Sequence, residues 1–258
     1  MTTTARQVMV IARRSVRRTV SQPALLVLPI AFPLVLYAVV AAGLEAAADL
    51  PGFPGGSYVS FALTITFIQG AMLCMNNVGV EVAHDLESGF LTRLTLTPVT
   101  PTALILGQTL GVLVLGLFQA AVFLTIGLLT GATVAAGAGG AVVLVALFLV
   151  CVAGFGGVGA LVALRTGSGE AVQNIAPLML VVLFLSSWNL PRDAIEAGWF
   201  RAIATGNPVS YLLEGMRSLL VTGWDAQALA LGLGLAALLA VFTVATAARS
   251  LDRRMVRT

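Results

Sequence analysis

The sequence predicts an all-α integral membrane protein with six transmembrane helices, an N-terminal amphipathic interfacial helix and short re-entrant outer helices before the last span. Of its 258 residues, 59% are hydrophobic and only 10% are charged, against roughly 25% charged in an ordinary soluble domain. Six charge-free apolar runs approach the ~20 residues that a helix needs to cross a bilayer. The 14 basic residues, all arginines, cluster outside these runs. A soluble protein is therefore excluded.

The first element is an amphipathic helix over residues 5–20. At about 100° per residue, its apolar side chains gather on one face and its arginines on the other. Such a helix lies along the membrane surface with its arginines toward anionic lipid or a partner. A solvated basic tail that only sets topology, and a secretory signal peptide, are the alternatives. The arginines that define the face are Arg6, Arg13, Arg14, Arg17 and Arg18.

The six spans form one transmembrane domain that covers residues 1–258. The third and fourth come from a single uncharged block, which is broken at the glycine-rich stretch 131–140, a predicted hairpin. The predicted spans are 24–43, 58–79, 104–130, 140–164, 171–190 and 226–248.

The arginines also predict the orientation, because basic residues near membrane ends stay in the cytoplasm. With both termini inside, the outer side receives only Arg192, Arg201 and Arg217. The tail, 249–258, is then cytoplasmic. The inner side receives the other eleven arginines: Arg6, Arg13, Arg14, Arg17, Arg18, Arg93, Arg165, Arg249, Arg253, Arg254 and Arg257.

Two polar segments interrupt the apolar pattern. Residues 81–101 form the only long inner loop between spans, and residues 191–225 form an outer segment before the last span. The outer segment is too polar to span and too apolar for a free loop, and it carries the aromatic residues typical of a membrane interface. We therefore expect it to be interfacial or re-entrant.

Several activities are excluded by missing residues. A P-loop needs a lysine, and the chain has none, so it cannot be its own Walker-type ATPase. One histidine and two isolated cysteines, Cys74 and Cys151, make a metal site improbable. No ionisable residue lies within the predicted spans, which argues against a proton- or sodium-driven carrier. We expect no catalytic, cofactor-binding or metal-binding residue in this chain.

Three local patterns have more than one interpretation. Gly154, Gly156 and Gly159 match the letters of a dinucleotide fingerprint, but inside an uncharged run they favour close helix packing. The acids at 81, 85 and 87 suit a solvated charged helix or a docking helix for a cytosolic partner better than catalysis. Glu214 and Arg217 are three residues apart on one helix face, which favours a structural brace. In addition, polar span residues such as Gln69, Gln108 and Gln119 suit interhelical hydrogen bonds or a mildly polar path through the bundle.

The two polar segments resemble one known family. The inner run DLESGFLTRLTLTPV, Asp85 to Val99, is similar to the cytoplasmic loop of type-2 ABC exporter permeases of the daunorubicin-resistance-like branch. The outer run NPVSYLLEGMRSLL, starting at Asn207, is similar to that family's segment before the last span. With the six spans and the N-terminal helix, the resemblance covers nearly the whole chain.

The resemblance implies the permease subunit of an ATP-driven exporter that works with two copies of a separate ABC ATPase and a second permease copy or close paralogue. ATP and magnesium would be bound by that ATPase and not by this chain. Relatives export drugs, lipids, lipid-linked glycans or polysaccharides from the bacterial cytoplasm, so a hydrophobic or amphipathic substrate, membrane lipid and no nucleic acid are expected. The alternative function is a non-transporting membrane enzyme or assembly scaffold.

The resemblance also assigns residues. Coupling to the ATPase falls to Glu81, His84, Asp85, Glu87, Gly89, Arg93 and Pro98, with support from the interfacial helix and its Arg13, Arg14, Arg17 and Arg18. The outer re-entrant segment is marked by Asn207, Pro208, Tyr211, Glu214 and Arg217.

Overall fold

All regular structure in the described part of the chain is helical. The computed structural model describes residues 3–43, 58–90, 100–188 and 190–255. The long helices are α1 (Thr3–Ser21), α2 (Pro23–Gly43), α3 (Tyr58–Glu87), α4 (Pro101–Leu129), α5 (Gly137–Thr166), α6 (Gly169–Phe184) and α9 (Ala226–Met255). Between α6 and α9 lie a 3₁₀ turn (Arg192–Ala194), α7 (Gly198–Gly206), α8 (Pro208–Arg217) and a π-helical turn (Ser218–Thr222).

Four described helices are long and apolar enough to cross a membrane: α3, α4, α5 and α9. Two shorter apolar helices accompany them, Val27–Gly43 within α2 and Gly169–Phe184. The prediction of an all-α, multi-pass membrane protein is therefore confirmed at this level.

Two helix ends differ from the predicted boundaries. The second span continues as helix to Glu87, so the predicted loop 81–101 begins as two helical turns that carry its acids. The helix for the predicted span 171–190 ends at Phe184. It ends early because residues 185–188 turn back toward the outer segment. There the N–H of Ser187 donates a hydrogen bond to Ser210 Oγ at 3.0 Å.

The core surrounds α3, which is buried along most of its length. Phe67 from α3, Phe123 from α4 and Phe148 from α5 meet edge to face, with ring centroids 5.2 to 6.4 Å apart. Such aromatic contacts stabilise a core beyond the area that they bury. They fix three helices around one point of the bundle.

Local sequence signals define several helix ends. Thr100 caps α4 by accepting a hydrogen bond from the N–H of Ala103 at 3.2 Å, and Pro101 follows in the first turn. The predicted glycine-rich hairpin between α4 and α5 is present, with positive φ at Gly131 and Gly137. Glycine adopts this conformation without a steric penalty. The backbone of this hairpin contacts the outer segment, because the N–H of Ala136 in the hairpin donates to Leu219 O in the outer segment at 3.0 Å.

A proline in α2 explains why a glutamine lies inside α4. Pro33 has no N–H, so the carbonyl of Pro29 loses its helical donor. Gln119 replaces that donor, with Nε2 2.6 Å from Pro29 O. Its Oε1 accepts a weaker hydrogen bond from Cys74 of α3 at 3.5 Å. Gln119 thus joins three helices, as expected of a polar residue within a span.

We expect Gln119→Leu to lower the free energy of unfolding by about 1 to 3 kcal/mol, because it leaves a buried carbonyl unsatisfied. Thermal unfolding in neutral detergent measures the effect. Gln173→Leu is the matched control, since Gln173 is exposed on α6. Equal stability of the two variants would show that the hydrogen bond to Pro29 contributes nothing.

Candidate functional site

A buried polar cluster joins α1, α3 and α4 at one end of the bundle, which we call the α1 end. α1 contributes three hydroxyl or guanidinium side chains, α3 two carboxylates and α4 one amide. We call this group the α1–α3 cluster: Arg14, Ser15, Arg18, Glu81, Asp85 and Gln108.

Asp85 is the centre of the α1–α3 cluster, and it is 0% exposed. Arg14 binds it with two nitrogens, Nη2 at 2.6 Å from Oδ1 and Nη1 at 3.0 Å from Oδ2. Gln108 Nε2 donates to Oδ2 at 3.4 Å, and Arg18 Nη1 lies 3.9 Å from Oδ1. The hydrogen bond to Asp85 raises the pKa of Arg14. Bidentate pairing of this kind fixes orientation as well as distance.

Glu81 lies one helical turn before Asp85 on the same face of α3. Its Oε2 accepts a hydrogen bond from Ser15 Oγ at 2.9 Å. The two acids, on successive turns of α3, therefore hold two adjacent residues of α1, Arg14 and Ser15. Their chemistry in this structure is that of a brace between helices, because each carboxylate already has a partner on α1.

Two glycines of α4 allow α1 to come this close. A Cβ at Gly107 would lie 2.6 Å from Ile11 Cβ, and one at Gly111 would lie 2.7 Å from Ser15 Cβ. The four-residue spacing places both on one face of α4. Because these two positions carry no side chain, the backbone of α4 can lie directly against α1.

The other predicted coupling residues on α3 face outward. His84 and Glu87 are exposed. Gly89 then ends the helix with φ +66°, a conformation common at helix C-termini. The predicted residues Arg93 and Pro98 lie outside the described residues. The coupling set is therefore divided into buried Glu81 and Asp85 and exposed His84 and Glu87.

The arginines of α1 are divided in the same way. Arg14 and Arg18 turn toward Asp85, and Arg14 also lies over the Phe90 ring, 4.0 Å from its centroid. Arg13 and Arg17 are exposed. Arg13 and Arg17 are therefore free to meet something outside this chain, whereas Arg14 and Arg18 already bind Asp85.

The three predicted packing glycines of α5 lie against other helices. A Cβ at Gly154 would lie 3.0 Å from Leu239 of α9, and one at Gly156 would lie 3.1 Å from Val78 of α3. A Cβ at Gly159 would collide with the carbonyl of Met75. The glycine-rich face therefore lets α5 touch α3 and α9, and no strand precedes it in the described chain.

At the opposite end of the bundle, Glu214 pairs with Arg192 rather than with Arg217. Arg192 donates from Nε to Oε1 at 2.6 Å and from Nη2 to Oε2 at 2.5 Å. Its guanidinium also lies 4.3 Å from the centroid of Tyr211. The ion pair ties the 3₁₀ turn to α8, so Glu214 has the bracing role expected, with a different partner.

Arg217 is buried, with 4% of its surface exposed. Its Nη2 donates to the carbonyl of Ser187 at 2.5 Å, and its guanidinium stacks on Phe61, 4.1 Å from the ring centroid. Burial lowers its pKa to about 10, so it stays charged at neutral pH. Cations favour the C-terminal ends of helices, and here Arg217 holds the chain that leaves α6.

Asn207 caps the N-terminus of α8, and Pro208 is the first residue of that helix. Asn207 Oδ1 accepts from the N–H of Val209 at 3.0 Å, and Asn207 Nδ2 donates to Val182 O of α6 at 2.7 Å. One side chain thus starts α8 and fixes it to α6. Together with Arg192 and Arg217, it anchors the outer segment at three points.

Sequence reasoning missed two members of these sites. Ser15 carries no charge and Arg192 stands alone in a polar loop, so neither has a local pattern. A signal was available on α4, because Gly107 and Gly111 have the spacing of a close helix contact. The residues that they contact, Ile11 and Ser15, each lie 96 positions earlier in the chain and belong to no recognisable local pattern.

The long apolar helices and the interhelical braces at both ends define a multi-pass helical membrane protein. The chain belongs to the ABC-2 type transporter family, whose sequence profile matches residues 6–221. The predicted family is thereby confirmed. Comparison with curated proteins gives no significant match.

Membership of this family makes the chain the membrane subunit of an ABC transporter. It also implies an ABC ATPase as partner, since ATP hydrolysis in such transporters lies in a separate subunit.

Proposed function

We propose that this chain is the permease subunit of an ATP-driven exporter in the bacterial cell membrane, with two permeases and two ATPases in the assembly. The observation that carries the proposal is the family match over residues 6–221. Six spans are built from α3, α4, α5 and α9 together with the shorter α2 and α6. The uncharged spans agree, because the driving energy then comes from the partner.

Both termini lie in the cytoplasm in this proposal. The α1 end carries most of the arginines, and the positive-inside rule places such an end there. The opposite end contains the hairpin and the outer segment. α7 and α8 then form an outer gate, which Arg192, Arg217 and Asn207 anchor to the rest of the bundle.

Coupling takes place at the exposed surface of α3 near its C-terminal end. His84 and Glu87 are exposed there, while Asp85 and Glu81 fasten the same two turns to α1. Movement imposed on this end by the ATPase therefore moves α1 and α3 together. The buried half of the predicted coupling set transmits force, and the exposed half meets the partner.

The substrate is hydrophobic or amphipathic. A cavity of about 170 Å³ lies between α2, α3 and α6, and its lining is apolar apart from Gln69. Gln69 Oε1 is buried without a hydrogen-bond partner, so it suits a ligand that donates one hydrogen bond. Such a lining favours a drug or a lipid over a glycan.

Purification of the tagged chain from its native membrane in mild detergent tests the proposal. A co-eluting P-loop ATPase with vanadate-sensitive hydrolysis is the expected result. If the chain instead elutes without an ATPase and without ATP hydrolysis in several detergents, the result would favour the alternative of a non-transporting enzyme or scaffold.

We expect Glu87→Gln to lower transport per ATP hydrolysed by about fivefold, the equivalent of about 1 kcal/mol for an exposed ion pair. Reconstituted vesicles that report substrate uptake and phosphate release together measure this ratio. Arg93→Gln is expected to act in the same direction.

Glu196→Gln is the matched control, because Glu196 is an exposed acid at the opposite end of the bundle. An unchanged ratio in Glu87→Gln and Arg93→Gln, or an equal loss in Glu196→Gln, would contradict the coupling assignment.

A further inference from the structure

We propose that a groove between α5, α6, α8 and α9 holds an acyl chain of a membrane phospholipid beneath the outer segment. The groove has a volume of about 470 Å³. It is distinct from the cavity between α2, α3 and α6, although Met179 lines both. Such a site depends on the position of the chain in a membrane, and on neither export nor the ATPase.

Two close contacts of α9 leave space between them. At the first, a Cβ on Gly232 of α9 would lie 3.1 Å from Tyr211 O of α8. At the second, a Cβ on Gly157 of α5 would collide with Thr243 of α9. The two contacts lie roughly 16 Å apart along α9, at 1.5 Å per residue. The groove lies between them, and α9 lines it with Leu235, Leu238, Leu239 and Phe242.

The outer segment forms the roof of the groove. Val209 and Leu212 of α8 line it, and both are buried. The start of α8 is fixed to α6, because Asn207 Nδ2 donates a hydrogen bond to Val182 O at 2.7 Å. Val182 also lines the groove. The hydrogen bond therefore holds α8 over the space, which is part of the fold.

One side of the groove opens toward the bilayer. Leu238 and Phe242 line the groove, yet they are 64% and 62% exposed. Val241, next to them on α9, is exposed as well. The lining residues of α9 lie about 14 to 24 Å from its first residue at 1.5 Å per residue. This depth is near the middle of a hydrocarbon core of ~30 Å, so the opening faces acyl chains.

The chemistry of the groove fits an acyl chain. Every side chain that lines it is apolar, whereas a bound water needs roughly two to four polar partners. The cavity between α2, α3 and α6 differs in this respect, because Gln69 lines it. An acyl chain that enters from the bilayer needs only apolar contacts, and it gains dispersion energy along the whole lining.

A photoactivatable lipid tests the proposal in the intact chain. The protein is placed in nanodiscs that contain phosphatidylcholine with a diazirine on one acyl chain, and peptide mass spectrometry locates the adducts. We expect adducts on Phe155, Val209 and Leu212, because these side chains line the groove but are otherwise buried. Phosphatidylcholine with the diazirine on its headgroup is expected to give none at these three positions.

Leu238→Trp partly fills the opening of the groove. It is expected to lower the adduct yield on the three buried residues by about fourfold for each CH₂ group of the acyl chain that it displaces. Val241→Trp is the matched control, because Val241 is exposed on the same helix but lies outside the lining. Val158→Phe fills the groove from α5 and is expected to act like Leu238→Trp. The thermal midpoint in detergent checks that each variant is folded.

Adducts confined to exposed residues, or an equal loss in Leu238→Trp and Val241→Trp, would overturn the proposal. Disulfide-linked dimers of Leu238→Cys would also overturn it, because a second copy of the chain would then cover the groove. The experiment uses neither ATP nor a transported substrate. Failure here therefore leaves the exporter assignment untouched.

Discussion

Gly159→Ala is expected to lower the thermal midpoint of the protein by about 10 °C. The added Cβ collides with the carbonyl of Met75 on α3, and it would lie 3.1 Å from the N of Gly79. Both obstacles are backbone atoms, so no side-chain rotation relieves the contact. Overpacking of this kind costs about 3 kcal/mol, which for a chain of this size corresponds to that shift.

Gly234→Ala is the matched control for this prediction. Gly234 lies within α9, and a Cβ there meets nothing within 4 Å. The substitution is expected to leave the thermal midpoint unchanged or slightly higher, because glycine inside a helix costs about 0.5 to 1 kcal/mol relative to alanine. Thermal unfolding of both variants in the same detergent gives the comparison. Equal midpoints would mean that α3 and α5 do not touch at Gly159.

Arg14→Met is expected to lower the free energy of unfolding by about 3 kcal/mol, and Asp85→Asn by only about 1 kcal/mol. The asymmetry follows from burial, since the side chain of Asp85 is 1% exposed and that of Arg14 is 37% exposed. Removal of Arg14 leaves a buried carboxylate with incomplete pairing, which is expensive. Removal of the negative charge leaves an arginine that reaches water.

The double variant Arg14→Met/Asp85→Asn separates this pair from the rest of α1. Its loss is expected to be smaller than the sum of the single losses, by about 1 to 2 kcal/mol, because the interaction is removed only once. Arg249→Met, at an exposed arginine of α9, is the control for loss of charge alone. Additive losses, or a larger loss in Asp85→Asn than in Arg14→Met, would contradict the pairing geometry.

Several elements were predictable because their signals are local. The amphipathic pattern over 5–20 lies within α1, and the glycine-rich break lies between α4 and α5. Asn207 and Pro208 mark the start of α8 by ordinary capping rules. In each case the deciding interactions join residues fewer than ten positions apart, so composition and spacing contain the information.

The partners of charged residues were not predictable in this way. Glu214 has Arg217 three residues away, yet it binds Arg192, 22 residues earlier. Asp85 binds Arg14 across 71 residues. The helical wheel places Arg14 with the other arginines, and only the packing of α1 on α4 turns it toward α3.

The sequence by itself determined that this chain is a helical membrane protein, because hydropathy depends on composition alone. It also determined the family, since two motifs and their order lie along the chain. Tertiary structure alone decided which acids brace the bundle and which face outward. Glu81 and Glu87 differ little in sequence context, but α3 turns one toward α1 and the other toward solvent. That choice depends on which helix packs beside α3, and the contact is made by Gly107 and Gly111 on a third helix.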